Sequence, residues 1–227
     1  MVTQATGGKA DGRLSKPHPS LGIVCQSPEF MTRHKETREA RSLIDEFLLD
    51  HQFSAVYEIR IDAPPSAVYQ CLQHSNFSEL WLVRLLMTVR SGKRLPRSPV
   101  PCDLRQRLQG TGFVVLGEVP NEELVIGVAG RFWRPGGGRC LGLTPADFAR
   151  FSRPGSAKVA WNFKLYAKSP ESTVLSTETR INCFGHAARW KFRLYWGLVG
   201  PFSGLIRKAI LRKVKMEAES TPVRKPS

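Results

Sequence analysis

The residues most able to ligate a metal or attack a substrate are five histidines (His18, His34, His51, His74, His186) and five cysteines (Cys25, Cys71, Cys102, Cys140, Cys183). Neither set is spaced for that work. The histidines form no HxxxH or HxH pair and none stands beside a cysteine, so no metal site is expected. The cysteines are odd in number, far apart and without a CxxC, which argues against a disulfide framework and for free thiols in a reducing compartment. No GxSxG, Walker or Rossmann glycine pattern stands in a strand–helix context, so no cofactor is expected and no catalytic residue can be assigned. The glycine-rich RPGGGRC (134–140) follows a strand in a hairpin-like setting and reads as a turn.

The remaining chemistry lies in charges and aromatic rings inside apolar segments. Arg131, Glu178 and Arg180 interrupt strand-like stretches. Turned inward, such charges need partners and could orient a polar group of a ligand; turned outward, they are solvated or ion-paired, which is the commoner outcome. Alternation sets Glu178, Arg180 and Asn182 on one face and Thr177, Thr179 and Ile181 on the other, without saying which is concave. Trp133, Trp161, Trp190, Trp196, Tyr166 and Tyr195 could line a cavity for a flat or acyl ligand, although ordinary core packing is the commoner role for any single one.

The chain of 227 residues carries 34 Lys+Arg against 19 Asp+Glu, a net charge of +15 that favours anionic partners. Eight of the cations fall between Arg189 and Lys215 with no acid among them: Arg189, Lys191, Arg193, Arg207, Lys208, Arg212, Lys213 and Lys215. The solvated face of a buried helix accounts for most of them. Lys208, Arg212, Lys213 and Lys215, off the apolar stripe, are the candidates for contact with an anionic membrane or another polyanion. Nucleic acid has charge alone in its favour and is not the expected partner.

The elements that would position these residues follow from periodicity. Residues 1–35 lack it and read as a flexible basic tail. Ala40, Leu43, Ile44, Phe47 and Leu48 predict a helix over 37–50. FSAVYEIRID (53–62) alternates as a half-buried strand, stopped by Pro64-Pro65, and a short helix then buries Ala67, Val68, Cys71 and Leu72. A second helical stretch from Ser75 carries Phe77, Leu80, Trp81 and Leu85, and 91–103 is a loop. Strands are predicted at 113–119, 124–134, 157–167 and 173–184, with a capped helix behind Thr144. Residues 186–219 are helical, broken near Gly197 and Gly200-Pro201, with Phe202, Leu205, Ile206, Ala209, Ile210 and Val214 as the buried stripe; 220–227 reads as disordered. No leader-like N-terminus and no apolar run of roughly 18 residues is present, so a soluble cytoplasmic protein, able to sit at a membrane surface, is expected.

YEIRIDAPPSAVYQCL (57–72), GEVPNEELVIGVAGRFWRP (117–135), AKVAWNFKLYA (157–167) and LSTETRINCFGHAARWKFRLYWGLVGPFSGLIRKAILRKVK (175–215) together resemble a bacterial branch of the START/Bet v 1-like superfamily, also called SRPBCC or polyketide cyclase-like. The resemblance covers roughly residues 50–219. It implies an α+β helix-grip domain over 36–219, a curved antiparallel sheet around a long C-terminal helix, with a cavity between them. Arg131, Trp133, Trp161, Phe163, Glu178, Arg180, Tyr195 and Trp196 are the candidate cavity residues. The expected function is binding of a hydrophobic small molecule or lipid, as carrier or sensor. The alternatives are a cyclase/dehydratase-like enzyme using the same cavity and a basic nucleic-acid-binding protein. Ionisable groups converging deep in the cavity would favour the enzyme, and an apolar lining the carrier.

Overall fold

Strand alternation organises the molecule. In the structure, a computed structural model describing residues 42–74, 104–108, 111–134 and 138–220, the elements run α1 (Leu43–Phe47), β1 (Phe53–Ile61), α2 (Pro65–His74), α3 (Leu104–Leu108), β2 (Val114–Val119), β3 (Glu123–Gly130), α4 (Pro145–Arg150), β4 (Ala157–Ser169), β5 (Ser172–Cys183) and α5 (His186–Ser220). The strands form one antiparallel five-stranded sheet in the order β1-β5-β4-β3-β2. Irregularities at Val115/Gly117 and Ala167/Ser169 add the local twist that helps a sheet wrap around a helix.

Successive side chains point to opposite faces, and each face is covered differently. On the inner face Ile61, Leu124, Ile126, Phe163, Leu165 and Leu175 pack against Ile210, Leu211, Val214 and Ala218 of α5 and against Val68, Tyr69 and Leu72 of α2. On the outer face Val125, Ala129 and Ala160 meet Ile44 and Leu48 of the α1 segment and Phe148 of α4. β3 is therefore buried on both sides along its whole length. Thr144 caps α4 by accepting from the Asp147 amide, while Asp147 accepts from the Thr144 amide, so proline at the first helical position follows a complete capping box.

Several expectations need correction. α1 covers only part of the helix expected over 37–50, whose first residues lie outside the described ones. β3 ends at Gly130 rather than running to 134. Gly130 has φ 150°, and a Cβ there would lie 2.0 Å from the Gly138 carbonyl oxygen, which accepts from the Arg131 amide at 2.6 Å. The chain turns at this contact, so Trp133 sits in a turn and not in mid-strand. The C-terminal helix is unbroken over 35 residues with Pro201 inside it. Proline removes one backbone donor there, but buried side chains on either side, Phe192 before and Ile210 after, hold both halves to the sheet. The buried stripe is also rotated from the expected one: Gly204, Arg207, Ile210, Leu211, Val214 and Ala218 face inward, whereas Phe202 and Leu205 are 47% and 53% exposed. The tail at 1–35, the helical stretch after Ser75, the loop at 91–103 and the last seven residues lie outside the described residues.

Charge ties α1 to the sheet. Arg180 Nη1 donates to Asp45 Oδ1 at 2.5 Å and to the Leu48 carbonyl at 3.2 Å. Burial alone would raise the Asp45 pKa, but the hydrogen bonds from Arg180 and the Ser42 amide outweigh it and the net shift is downward. A carboxylate depressed in the folded state contributes stability that is complete above its ordinary range and lost as pH falls through the folded value. Urea midpoints measured from pH 7 down to about pH 3 should therefore fall in the acid range, and Asp45→Asn should start lower at pH 7 and fall less steeply.

Candidate functional site

A cavity of about 180 Å³ lies between the sheet and the first half of α5. Pairing builds its floor: Ile126 of β3 stands opposite Trp161 of β4, which stands opposite Thr179 of β5, and Val128 stands opposite Val159. Its roof comes from helical spacing, which brings Phe192, Tyr195, Trp196, Ser203 and Arg207 to one side of α5. Phe113, Phe132 and Arg139 complete the wall.

The helix is held at two places with a gap between them. Toward its N-terminus Phe192 is 1% exposed and touches the rings of Phe53, Trp133, Tyr195 and Trp196 at 5.2–6.3 Å between centroids. Toward its C-terminus Gly204 allows close approach, since a Cβ there would lie 2.5 Å from the Tyr57 hydroxyl oxygen. Between these clamps the small Ser203 and Thr179 leave space. Trp161 is oriented by its indole N–H, which donates to Thr177 Oγ1, and Thr177 in turn donates to the Asn162 carbonyl at 2.7 Å.

Arg207 is the unusual wall residue. It is 7% exposed, with its guanidinium 5.6 Å from the Trp161 ring and 6.0 Å from the Trp196 ring. Nη1 donates to Ser203 Oγ at 2.8 Å, and Nε has no acceptor. Burial lowers its pKa to about 10, so it is still cationic at neutral pH. That displacement corresponds to about 3 kcal/mol against the charged form. The two ring contacts return about 0.5–2 kcal/mol. Arg207→Met is therefore expected to stabilise the unliganded domain by about 1 kcal/mol, read as a higher urea midpoint at unchanged slope.

The structure sorts the candidate residues. Trp161, Tyr195 and Trp196 stand in the cavity wall. Phe163 shares the inner face but lies deeper in the core, its ring 4.9 Å from that of Trp161. Trp133 backs Phe192 edge-on from the turn after β3. Arg131 follows β3, with its guanidinium beside Gly155. Glu178 and Arg180 do not reach the cavity: even-numbered side chains of β5 point to the outer face, where Arg180 binds both Glu178 and Asp45. Arg207, Thr179, Ser203 and Phe192 are wall residues not among those expected from the sequence. The available signal was a cation at helical spacing from Gly204, Ile210 and Val214, on what proves to be the buried stripe.

Of the four cations assigned to anionic surfaces, Lys208 and Arg212 are exposed. Lys213 is 3.6 Å from Glu217, and Lys215 pairs with Glu219 and donates to the Arg60 carbonyl at 2.9 Å. No helix among the described residues is long and apolar enough to cross a membrane.

The sheet order and the long C-terminal helix make this an α+β domain of helix-grip arrangement, a five-stranded antiparallel sheet with a long C-terminal helix packed across it. The sequence matches no protein-family model and no curated protein. Among solved structures it is similar to a protein from Mesorhizobium loti (16% identity, 75% of this chain and 99% of that one, TM-score 0.34) and to a hypothetical protein from Helicobacter pylori (9%, 78% and 95%, TM-score 0.38). It is also similar to the Zhui aromatase/cyclase from Streptomyces sp. R1128 (12%, 73% and 93%, TM-score 0.27). The topology of this chain, rather than these low scores, defines the fold.

Proposed function

We propose that the domain binds a hydrophobic small molecule in the cavity under α5, as a carrier or sensor. The observation that carries this reading is a space walled by Phe113, Ile126, Trp161, Phe192 and Trp196 that the side chains of the described residues leave open. Apolar concavities with few polar groups are the usual form of small-molecule sites. At about 180 Å³ the space is below the roughly 300–1,000 Å³ of sites for drug-sized ligands, and comparable to the roughly 150 Å³ cavity that holds one benzene ring. It suits a single ring or a short chain, and a larger lipid would enter by one part. The described lining contains no carboxylate, histidine or cysteine, the groups most often used as a base near pH 7, which supports binding over cyclisation. Native mass spectrometry of the purified chain should find one small organic molecule per chain on part of the population, displaced in Ser203→Phe, where a ring fills the cavity. The same adduct in both proteins would place the ligand elsewhere.

The solvent side of α5 supports docking on an anionic membrane as part of the same function. Trp190, Leu194, Leu198 and Leu205 are 53–72% exposed and recur at helical spacing, with exposed Lys191, Lys208 and Arg212 on the same side and no acid before Glu217. An apolar ridge among cations is the pattern of an interfacial helix. Each cation near such a surface contributes about 1 kcal/mol, and the attraction is screened by salt. Co-sedimentation should show binding to phosphatidylserine-containing vesicles, little to neutral ones, and loss in Leu198→Glu. Equal or tighter binding to DNA, unaffected by Leu198→Glu, would favour a general polyanion surface.

A further inference from the structure

Among the described residues two buried side-chain polar atoms lack any partner, Arg207 Nε and Thr179 Oγ1, and both belong to the wall of this cavity. Thr179 is 1% exposed and stands opposite Trp161 in the sheet; the Arg207 guanidinium lies 5.6 Å from the centre of the same indole. The two orphans thus belong to the same wall around Trp161, one from the sheet and one from the helix. Leaving such groups unpaired is costly, and native structures keep few of them. The aromatic contacts of Arg207 stabilise its charge but accept no hydrogen bond. The Ser203 hydroxyl accepts from Nη1 alone. What is missing is an acceptor, preferably an anionic one, beside an apolar volume the size of one ring.

We infer that the ligand is a small monocyclic aromatic carboxylate, its ring among Trp161, Phe192 and Trp196 and its carboxylate accepting from Arg207 Nε–H and the Thr179 hydroxyl. This deepens the reading of the cavity as a ligand site and rests on it. Two acceptor oxygens answer two donors, and the ring takes the space that Ser203 and Thr179 leave. The carboxylate also restores a counter-charge to a cation that has none among the described residues, so ligand binding and relief of the desolvated charge are one event. The contact is buried, so salt screens it much less than it screens the outer cations of α5.

Isothermal titration of the full chain at pH 7 tests this with benzoate and 3-phenylpropanoate, their primary amides, and toluene. A charged acceptor on a buried donor should make each acid roughly 10- to 100-fold tighter than its amide. That preference should persist at about 0.5 M salt. Arg207→Met should reduce the preference for acid over amide to near unity, and the near-isosteric Thr179→Val should independently weaken the acids several-fold. Acids and amides binding alike to the parent, or an acid preference that survives Arg207→Met, would overturn the inference. Toluene binding without acid binding would also overturn it while leaving the cavity as a ligand site. Failure of toluene, amides and acids together would remove the ligand-site reading and this inference with it.

Discussion

Phe192→Ala is expected to cost about 3–5 kcal/mol of stability and to abolish ligand binding in the molecules that remain folded. Phe192 is 1% exposed and stands where four rings meet: Phe53 from β1, Trp133 from the turn after β3, and Tyr195 and Trp196 from its own helix. Trp196 stacks on it at 5.6 Å and 21°. Truncation removes the central ring, leaves a void that these fixed neighbours fill only in part, and frees the N-terminal half of α5 from the sheet. Because Phe192 is also in the cavity wall, loss of stability and loss of the site should come together. Urea denaturation with and without ligand reads both. A loss below about 1 kcal/mol would show that α5 is held elsewhere.

Glu123→Ala should lose a similar amount, about 3–5 kcal/mol, for an electrostatic reason. Glu123 opens β3 on the outer face and is 4% exposed. Its carboxylate accepts from Ser42 Oγ at 2.6 Å, the Leu43 amide at 2.9 Å and Asn162 Nδ2 at 2.6 Å, with Lys164 Nζ at 3.6 Å. It therefore serves the first turn of α1 and the middle of β4 at once. Its removal leaves a half-buried Lys164 without this counter-charge and three donors without this acceptor, the arrangement in which deletion of one partner is most damaging. Glu123→Gln keeps the shape and part of the bonding and should cost less. Since the network is on the face opposite the cavity, ligand affinity of the folded variant should match the parent's. A change in affinity as large as that of Phe192→Ala would mean the two faces are coupled.

The parts of the fold legible in the sequence were those fixed by local rules. Two-residue alternation placed β1, β4 and β5, and the capping pattern at Thr144 placed α4. The misplacements arose where a distant contact decides. Gly130 ends β3 because its backbone meets Gly138, which no pattern in 124–134 encodes. Pro201 stays inside α5 because packing on both sides outweighs one missing donor. Alternation puts Glu178 and Arg180 on one face, where they bind each other, but which face is concave depends on where α1 and α5 dock. By residue type Arg207 belongs with the surface cations; only the rotation of α5 against Tyr57 and Trp161 puts it inside. Trp161, Tyr195 and Trp196 were reached as aromatics on a strand and a helix, while Ser203 and Thr179, which matter by being small, give no such signal.

The central claim is that the space under α5 receives a small apolar molecule. Its most direct test is titration of tryptophan emission with a panel of ring-sized apolar compounds, run in parallel on the parent and on Ser203→Phe. Trp161 and Trp196 stand in the wall and should report occupancy. A saturable, single-site change is expected in the parent for at least one compound, and none in the filled variant. Responses that never saturate, or curves that are the same in both proteins, would contradict it.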